Sequence, residues 1–180
     1  MFWVWSFVYA SFKYKTFGLL SYKMNQEFSA DYWQNRYQND QTGWDVGEIT
    51  TPLKEYFDKL PNVGQRILVP GCGNAYEAEY LFLRGFRKTY VADVARAPLE
   101  RFALRVPSFP KDQLLLQDFF SLQGSFDLIV EQTFFCAIDP MLRPAYARKC
   151  AELLVPGGKL VGLLFNTTFE RQGPPFGGNQ

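Results

Sequence analysis

Histidine is absent from this chain of 180 residues. Its absence excludes serine and cysteine triads that depend on histidine, histidine-ligated metal sites and histidine general bases. Any chemistry must therefore use carboxylates, aromatic rings, backbone amides or a bound cofactor. Cysteine is scarce as well, because Cys72, Cys136 and Cys150 are the three in the chain. An odd, sparse set is not a disulfide framework, so we expect a reducing, cytoplasmic environment.

Long apolar runs and an excess of one charge are also missing. No run reaches the roughly 18 apolar residues that a membrane-spanning helix needs. The 19 basic and 18 acidic residues leave a net charge of +1, which argues against a nucleic-acid partner. The apolar fraction is 47%, enough for the core of one domain. We therefore expect a single domain that is monomeric and has neither a membrane nor a nucleic acid as partner.

Residues 1–23 differ in composition from the rest, with nine aromatic residues, three lysines and no acid. Lys13 and Lys15 follow the apolar stretch, which is the reverse of the order in a secretory signal. Two interpretations stay open: an aromatic arm that packs on a surface or membrane interface, or upstream sequence translated before a true start at Met24. We favour the second and take residues 24–180 as the domain.

From Met24 onward, predicted helices and strands alternate. Caps and apolar faces indicate helices that begin near Ser29, Thr51, Asn74, Pro98 and Asp139, the last ending at Pro156-Gly157-Gly158. Short apolar runs indicate five strands, at 66–70, 89–92, 113–117, 126–130 and 159–165. Helices between strands indicate a mostly parallel sheet covered on both faces, an α/β fold of the Rossmann type. In such folds ligands bind beyond the carboxyl ends of the strands.

The first predicted strand is followed by Gly71-Cys72-Gly73. Two glycines let the backbone turn tightly and approach a ligand closely, and the next helix directs free N–H groups at that ligand. Tyr76 stands where a dinucleotide fingerprint has its third glycine, which argues against NAD and leaves no obvious room for a pyrophosphate. A Gly-x-Gly loop also occurs in ordinary turns, so this signal is weak by itself.

Acidic residues follow the second and third predicted strands. Asp93 has the spacing at which an acid accepts hydrogen bonds from ribose hydroxyls, although it could equally cap the next helix. Asp118, followed by Phe119 and Phe120, could bind an adenine amino group and flank its ring, or be a solvated acid beside core phenylalanines. The loop and the two acids follow three successive predicted strands, and together they are suited to bind an adenosine lying across the carboxyl edge of the sheet. The best candidate ligand is therefore S-adenosylmethionine.

Longer motifs give the chain a resemblance to a known family. They are Gly43-Trp44-Asp45, Val69-Pro70-Gly71-Cys72-Gly73, Asp93, Thr133-Phe134-Phe135-Cys136-Ala137-Ile138, Arg143-Pro144-Ala145, Glu152-Leu153-Leu154 and Gly173-Pro174-Pro175. The chain resembles the thiol and halide methyltransferases of the thiopurine S-methyltransferase superfamily. The motifs stand in the family's order. The Phe-Phe-Cys-Ala-Ile run and Gly-Trp-Asp are specific, whereas the glycine loop alone is not.

The resemblance implies a class I methyltransferase fold and methyl transfer from S-adenosylmethionine to a small thiol, thiocyanate or halide. With the glycine loop, the implied cofactor-binding residues are Trp33, Tyr37, Trp44, Gly71, Gly73, Asp93, Asp118, Phe119 and Gln132. The family often has Trp at the position of Tyr37 and Tyr at that of Gln132, so the acceptor is less defined than the cofactor. We expect no metal and no catalytic side chain, because a thiolate or halide needs no general base.

Trp33 and Tyr37 are four residues apart and share one helix face. With Trp44 they could cover the sulfonium of the cofactor as a lid, since each aromatic face attracts a desolvated cation by about 0.5 to 2 kcal/mol. The alternative is that this face packs onto the core; we favour the lid. Cys136 is interpreted as a small buried residue rather than a nucleophile.

The family normally continues beyond the length of this chain, so we expect a C-terminally truncated domain. Two alternatives follow for function. One is S-adenosylmethionine binding without turnover, caused by the truncation. The other, less favoured, is an oxidoreductase that uses NAD(P).

Overall fold

The computed structural model describes residues 28–170 and 173–178, so the predictions for residues 1–23 lie outside the described part. The helices are α1 (Ala30–Gln38), α2 (Thr51–Asp58), α3 (Tyr76–Leu83), α4 (Arg96–Arg105) and α5 (Arg143–Leu153). The strands are β1 (Ile67–Pro70), β2 (Thr89–Asp93), β3 (Leu114–Leu116), β4 (Phe126–Gln132) and β5 (Leu154–Leu163). Helices alternate with strands from β1 to β3 and again between β4 and β5, as the sequence predicted, while β3 and β4 are joined by a single 3₁₀ turn.

The five strands form one parallel sheet in the order β3-β2-β1-β4-β5. Val69 of β1 pairs with Val91 of β2, and Leu68 pairs with Ile129 of β4. The chain moves outward from β1 through β2 to β3 and then returns to β1's other side as β4. Strand order therefore reverses between β1 and β4, which is where such sheets open a crevice at their carboxyl ends. The predicted Rossmann-like α/β fold is confirmed.

Apolar side chains cover both faces of the sheet. Ile67 and Val69 face a layer that contains Phe57 of α2 and Phe102 of α4. The intervening Leu68 faces the other way. The layer on that second face contains Phe119, Ile129, Tyr146 and Leu153. Alternate residues of this buried strand thus pack into the apolar layers on opposite faces of the sheet. For this reason the sequence of β1 is a continuous apolar run.

Two predicted boundaries need correction. Oδ1 of Asp139 accepts a hydrogen bond of 2.8 Å from the Met141 amide, but it caps a single 3₁₀ turn, and α5 starts only at Arg143. The predicted helix stop at 156–158 was wrong, because β5 begins at Leu154 and continues through these residues. The register of β5 against β4 shifts between Phe126 and Leu128. An edge strand accommodates proline and glycine at such an irregularity.

The three cysteines are free and buried. Burial raises the pKa of the Cys136 thiol to about 12, so this thiol is protonated near neutral pH. A protonated, buried thiol is a poor nucleophile, which supports the interpretation of Cys136 as a small apolar residue.

None of the helices in the described part of the chain is long and apolar enough to cross a membrane.

Candidate functional site

A cleft of about 1110 Å³ lies at the carboxyl ends of β1, β2 and β4. Its walls come from α1, the segment before α2, the β1–α3 loop and the segments that follow β2, β3 and β4. Every residue that the sequence assigned to the cofactor lines this one cleft: Trp33, Tyr37, Trp44, Gly71, Gly73, Asp93, Asp118, Phe119 and Gln132. Residues far apart in sequence therefore meet where the topology places a ligand.

The glycine loop is closely packed on both of its glycines. Gly71 and Gly73 have φ values of +53° and +50°, a region that side chains rarely adopt. A Cβ atom at Gly73 would lie 2.7 Å from Oη of Tyr37, and one at Gly71 would overlap the ring of Phe134. The loop needs glycine at both positions for two reasons: the backbone has positive φ there, and the neighbouring aromatic rings leave no space for a Cβ atom.

Asp93 connects the glycine loop to the end of β2. Its Oδ2 accepts a hydrogen bond of 3.0 Å from the Gly73 amide, and its Oδ1 accepts one of 2.8 Å from the Ala95 amide. The residue is 7% exposed, and burial raises the pKa of its carboxyl group. Asp93 thus supports the turn into α4 and also faces the cleft. Each carboxylate oxygen has a second lone pair, which can accept a further hydrogen bond from a ligand.

Asp118 begins a 3₁₀ turn at the end of β3. Its Oδ1 accepts a hydrogen bond of 3.0 Å from the Phe120 amide, and its Oδ2 has no partner within the described residues. The Phe119 ring packs edge-on against Phe134, with ring centroids 5.3 Å apart, and is 3% exposed. Phe119 is therefore part of the core and of the cleft wall at once, and Asp118 lines the same cleft with one carboxylate oxygen that has no hydrogen-bond donor among the described residues.

Trp33, Tyr37 and Trp44 form a connected aromatic cluster. The rings of Trp33 and Tyr37 lie 5.7 and 5.9 Å from that of Trp44, both edge to face. Tyr37 is 4% exposed, and burial, followed by the charge of Asp93, raises the pKa of its hydroxyl. Tyr37 is packed against the glycine loop, whereas the two tryptophans are half-buried at the cleft wall. The guanidinium of Arg36 lies 5.3 Å from the Trp44 ring centroid.

The segment after β4 is held by two side chains. Oε1 of Gln132 accepts a hydrogen bond of 2.7 Å from Oγ1 of Thr50, which joins β4 to the start of α2. Oε1 of Glu131 accepts one of 2.6 Å from the Phe135 amide. Glu131 is fully buried, and burial raises the pKa of its carboxyl group to about 7. Thr133, which lies between Gln132 and Phe134 in the sequence, has a φ of +62°.

The structure adds cleft residues that the sequence analysis did not assign. They are Asp45, Asn74, Glu77, Arg148, Phe165 and Pro174-Pro175. Asn74 and Glu77 had an available signal, because they follow the glycine loop directly and a ligand at that loop faces the first turn of the next helix. Phe165 gave none, because only the fold returns it to the cleft. The two prolines belong to one of the motifs that carry the family resemblance, but their sequence did not show that they line the cleft.

A sequence model described as thiopurine S-methyltransferase matches residues 28–180. The chain belongs to the thiopurine S-methyltransferase family. A probable thiol methyltransferase 2 of Arabidopsis thaliana is 32% identical over 164 residues, which cover 87% of this chain and 71% of that protein. A thiocyanate methyltransferase 1 of Brassica oleracea is 33% identical over 149 residues, covering 80% of this chain and 66% of that protein. This family member thus spans about two thirds to seven tenths of the length of these two relatives.

Solved structures resemble this family member in fold. A 1,6-didemethyltoxoflavin-N1-methyltransferase of Burkholderia thailandensis, determined with S-adenosylhomocysteine, has a TM-score of 0.63 at 16% identity, covering 77% of this chain and 61% of that one. The magnesium protoporphyrin IX methyltransferase of Synechocystis PCC 6803 has a TM-score of 0.63 at 13% identity, covering 84% and 81%. At these identities the likeness establishes the fold, a Rossmann-like methyltransferase fold, as predicted.

Proposed function

We propose that this chain binds S-adenosylmethionine in the cleft and transfers its methyl group to a small thiol, thiocyanate or halide. The observation that carries the proposal is the joint placement of the glycine loop, Asp93, Asp118 and the aromatic cluster in one cleft of a family member. The named relatives, a thiol and a thiocyanate methyltransferase, support the acceptor class.

The nucleoside end of the cofactor is assigned to Asp93, Asp118 and Phe119. Asp93 accepts hydrogen bonds from the ribose hydroxyls with its remaining lone pairs. Asp118 accepts one from the adenine amino group with its Oδ2, and the Phe119 ring packs beside the base. The close approach of backbone that the two glycines allow fits a ligand lying directly on the loop.

The reactive end is assigned to the aromatic cluster. Bound here, S-adenosylmethionine would supply a methyl group on a positively charged sulfonium sulfur, and the neutral thioether S-adenosylhomocysteine would leave as the acceptor forms its bond to the methyl carbon. The faces of Trp33 and Trp44 stabilise a desolvated cation by about 0.5 to 2 kcal/mol each. The packing of Tyr37 against Gly73 fixes the base of this cluster. These residues bind and orient the cofactor, and they exclude water.

The acceptor is assigned to the wall formed by the segment after β4 and the start of α5. Its lining is mostly apolar, with one cation, Arg148, and one acid, Asp139, whose Oδ1 accepts a hydrogen bond from the Met141 amide. The apolar residues are Cys136, Ala137, Ile138, Met141, Leu142 and Ala145, and Phe165 joins them from the segment after β5. An apolar wall strips water from a soft anion, and the charge of Arg148 favours an anion over a neutral acceptor. Holding the two reactants in line at about 3 to 3.5 Å can supply roughly 7 to 11 kcal/mol. We place this reaction in the cytoplasm, where thiol acceptors stay reduced.

Calorimetry with S-adenosylmethionine and with NADH tests the cofactor, and labelled S-adenosylmethionine with sulfide, thiocyanate, iodide and a thiopurine tests the acceptor. We expect the chain to bind S-adenosylmethionine but not NADH, and to transfer the labelled methyl group to at least one of the four acceptors. Asp93→Asn should weaken binding about tenfold or more, whereas the exposed Asp112→Asn should not change it. Binding without transfer to any acceptor would favour the alternative of a cofactor-binding protein without turnover, and binding of NADH instead would overturn the proposal.

A further inference from the structure

One buried acid at the end of β4 has no role in the function proposed above. Glu131 is 1% exposed and does not itself line the cleft. Its Oε1 accepts the hydrogen bond from the Phe135 amide, whereas its Oε2 is buried and has no hydrogen-bond partner among the described residues. That oxygen packs against β5, where a Cβ atom added at Gly162 would lie 2.9 Å from it. Burying a carboxyl group with one oxygen unpaired costs stability, so its place in the core indicates a role beyond packing.

The segment that Glu131 holds is a tight turn at residues 133–138, which we call the post-β4 turn. Thr133 begins it with a φ of +62°, a conformation that is unfavourable for a β-branched residue. The backbone oxygen of Phe134 then accepts hydrogen bonds of 2.9 and 3.3 Å from two amides further along the turn. A strained turn keeps its shape only where its surroundings fix it. The hydrogen bond of 2.6 Å from the Phe135 amide to Glu131 anchors this turn to the end of β4.

The post-β4 turn also organises the wall assigned above to the acceptor. Its second half, residues 136–138, lines the cleft as part of that wall. The backbone oxygen of Cys136 accepts a hydrogen bond of 2.6 Å from the Phe176 amide, which attaches the chain after β5 to the same wall. The guanidinium of Arg143, at the start of α5, lies 4.6 Å from the ring centroid of Phe135. A displacement of the turn would therefore displace several parts of the acceptor wall together.

The cofactor side of the cleft depends less on this turn. The Phe134 ring lies against Gly71, but the glycine loop has two further supports. Asp93 accepts the hydrogen bond from the Gly73 amide, and the Tyr37 hydroxyl packs against Gly73. Neither contact involves the post-β4 turn. Release of the turn should thus affect the acceptor more than the cofactor.

We propose that Glu131 is the positioning residue of the acceptor wall. Its carboxyl group fixes the post-β4 turn through the Phe135 amide, and the turn sets where the apolar wall meets the acceptor. The inference rests on the proposed function and deepens it, because it names the group that holds the acceptor site in place. Glu131 acts through the backbone and touches neither the acceptor nor the cofactor.

Two substitutions separate the hydrogen bond of Glu131 from its charge. Glu131→Gln keeps an oxygen for the Phe135 amide, whereas Glu131→Met has a similar length and no such acceptor. With S-adenosylhomocysteine at saturation, Glu131→Met should lower the affinity for thiocyanate about tenfold, the effect of one lost hydrogen bond of ordinary strength. Its affinity for S-adenosylhomocysteine should change less than about threefold, as for a change remote from the binding contacts. Glu131→Gln should restore most of the thiocyanate affinity, because it restores the acceptor for the amide.

The Phe135 amide gives a readout that needs no turnover. Its hydrogen exchange should be at least about tenfold faster in Glu131→Met than in the unmodified chain, measured by NMR on the samples that are titrated with thiocyanate. Thr89→Val is the matched control, since it also removes a buried hydrogen bond, from Oγ1 of Thr89 to the backbone oxygen of Phe86. Thr89 lies at the amino end of β2 and does not line the cleft, so the exchange of the Phe135 amide and both affinities should stay unchanged.

Glu131→Asp keeps the test decisive if Glu131→Met fails to fold. Its carboxyl group is one methylene shorter and out of hydrogen-bond range of the Phe135 amide, so it should lose thiocyanate affinity in the same way. Unchanged exchange of the Phe135 amide, or equal losses of both affinities, would overturn the inference and leave the proposed function standing. An equal loss of thiocyanate affinity in Glu131→Gln and Glu131→Met would overturn it as well.

The unmodified chain distinguishes these results from a failure of the proposed function. If it does not bind S-adenosylhomocysteine, the proposed function is wrong and the inference falls with it. If it binds S-adenosylhomocysteine but not thiocyanate, the cofactor assignment stands, and the acceptor wall and the role of Glu131 are overturned together.

Discussion

The backbone amide of Gly73 donates a hydrogen bond of 3.0 Å to Oδ2 of Asp93. This contact joins the end of β2 to the loop that follows β1. On the loop's other side, Oη of Tyr37 occupies the space in which a side chain at residue 73 would begin. The glycine loop is therefore held between a buried carboxylate and a buried phenol, and both sides of this arrangement can be tested.

Gly73→Ala should destabilise the fold by about 2 to 4 kcal/mol, because the new Cβ adds left-handed strain and lies 2.7 Å from the Tyr37 hydroxyl oxygen. Tyr37→Phe removes that oxygen, so the double variant should lose about 1 to 3 kcal/mol less than the sum of the single changes. Urea unfolding measures all three. Gly85→Ala is the matched control: Gly85 also has positive φ but open space around it, and Tyr37→Phe should not alter its effect. Strict additivity at residue 73 would contradict the packing argument.

Trp44→Leu should lower the affinity for S-adenosylmethionine more than the affinity for S-adenosylhomocysteine. The first ligand carries a sulfonium cation and the second a neutral thioether, so only the first gains from an aromatic face. We expect the ratio of the two affinities to fall by a factor of about 2 to 30, measured by calorimetry. Tyr56→Leu, which removes a ring outside the cleft, should leave the ratio unchanged. An equal loss for both ligands would mean that Trp44 acts by packing and not through the cation.

Glu131 should make the fold less stable as the pH rises. Burial raises the pKa of its carboxyl group from 4.5 to about 7. Its stabilising contribution is therefore fully present below about pH 4.5, decreases as the pH rises and is lost above about 7. Glu131→Gln, which does not ionise, should raise the unfolding free energy by up to about 3 kcal/mol at pH 8 and by little at pH 4.5. Urea unfolding across this range measures the difference.

Glu77 provides the comparison for this pH series, because burial raises the pKa of its carboxyl group to about 7 as well. Glu77→Gln should remove a similar share of the pH dependence, and the double variant should remove both shares. A slope that persists in the double variant would show that other groups govern the pH dependence.

Arg148→Gln should raise the KM for an anionic acceptor about two- to fivefold, since Arg148 is an exposed cation at the cleft wall and such charges contribute modestly. The difference should shrink at high salt, and the affinity for S-adenosylmethionine should not change. Arg87→Gln removes an exposed charge that does not line the cleft and serves as the control. An unchanged KM at low salt would remove Arg148 from the acceptor site. Steady-state kinetics with thiocyanate, once transfer is shown, gives these values.

Local sequence signals were sufficient for most of the fold. The run Ile67–Pro70 and the apolar face of α2 depend on neighbours a few residues away, so their periodicity is visible without a structure. The start of β5 at Leu154 was missed because the irregular register there depends on pairing with β4. Similarly, Asp139 has the chemistry of a helix cap, but packing decided that it caps one turn.

The sequence by itself determined the family, the order of strands and helices, and the acids and glycines that follow the strands. Each of these features can be recognised from residues that are neighbours in the sequence. Only the tertiary structure decided which carboxylates are deprived of water and which side chains meet across the chain. Glu77 and Glu131 are ordinary acids in the sequence, and burial is what raises their pKa values. The contact of Thr50 with Gln132 joins residues 82 positions apart. Desolvation and contacts of this kind depend on elements packed together from distant parts of the chain, and no local pattern contains them.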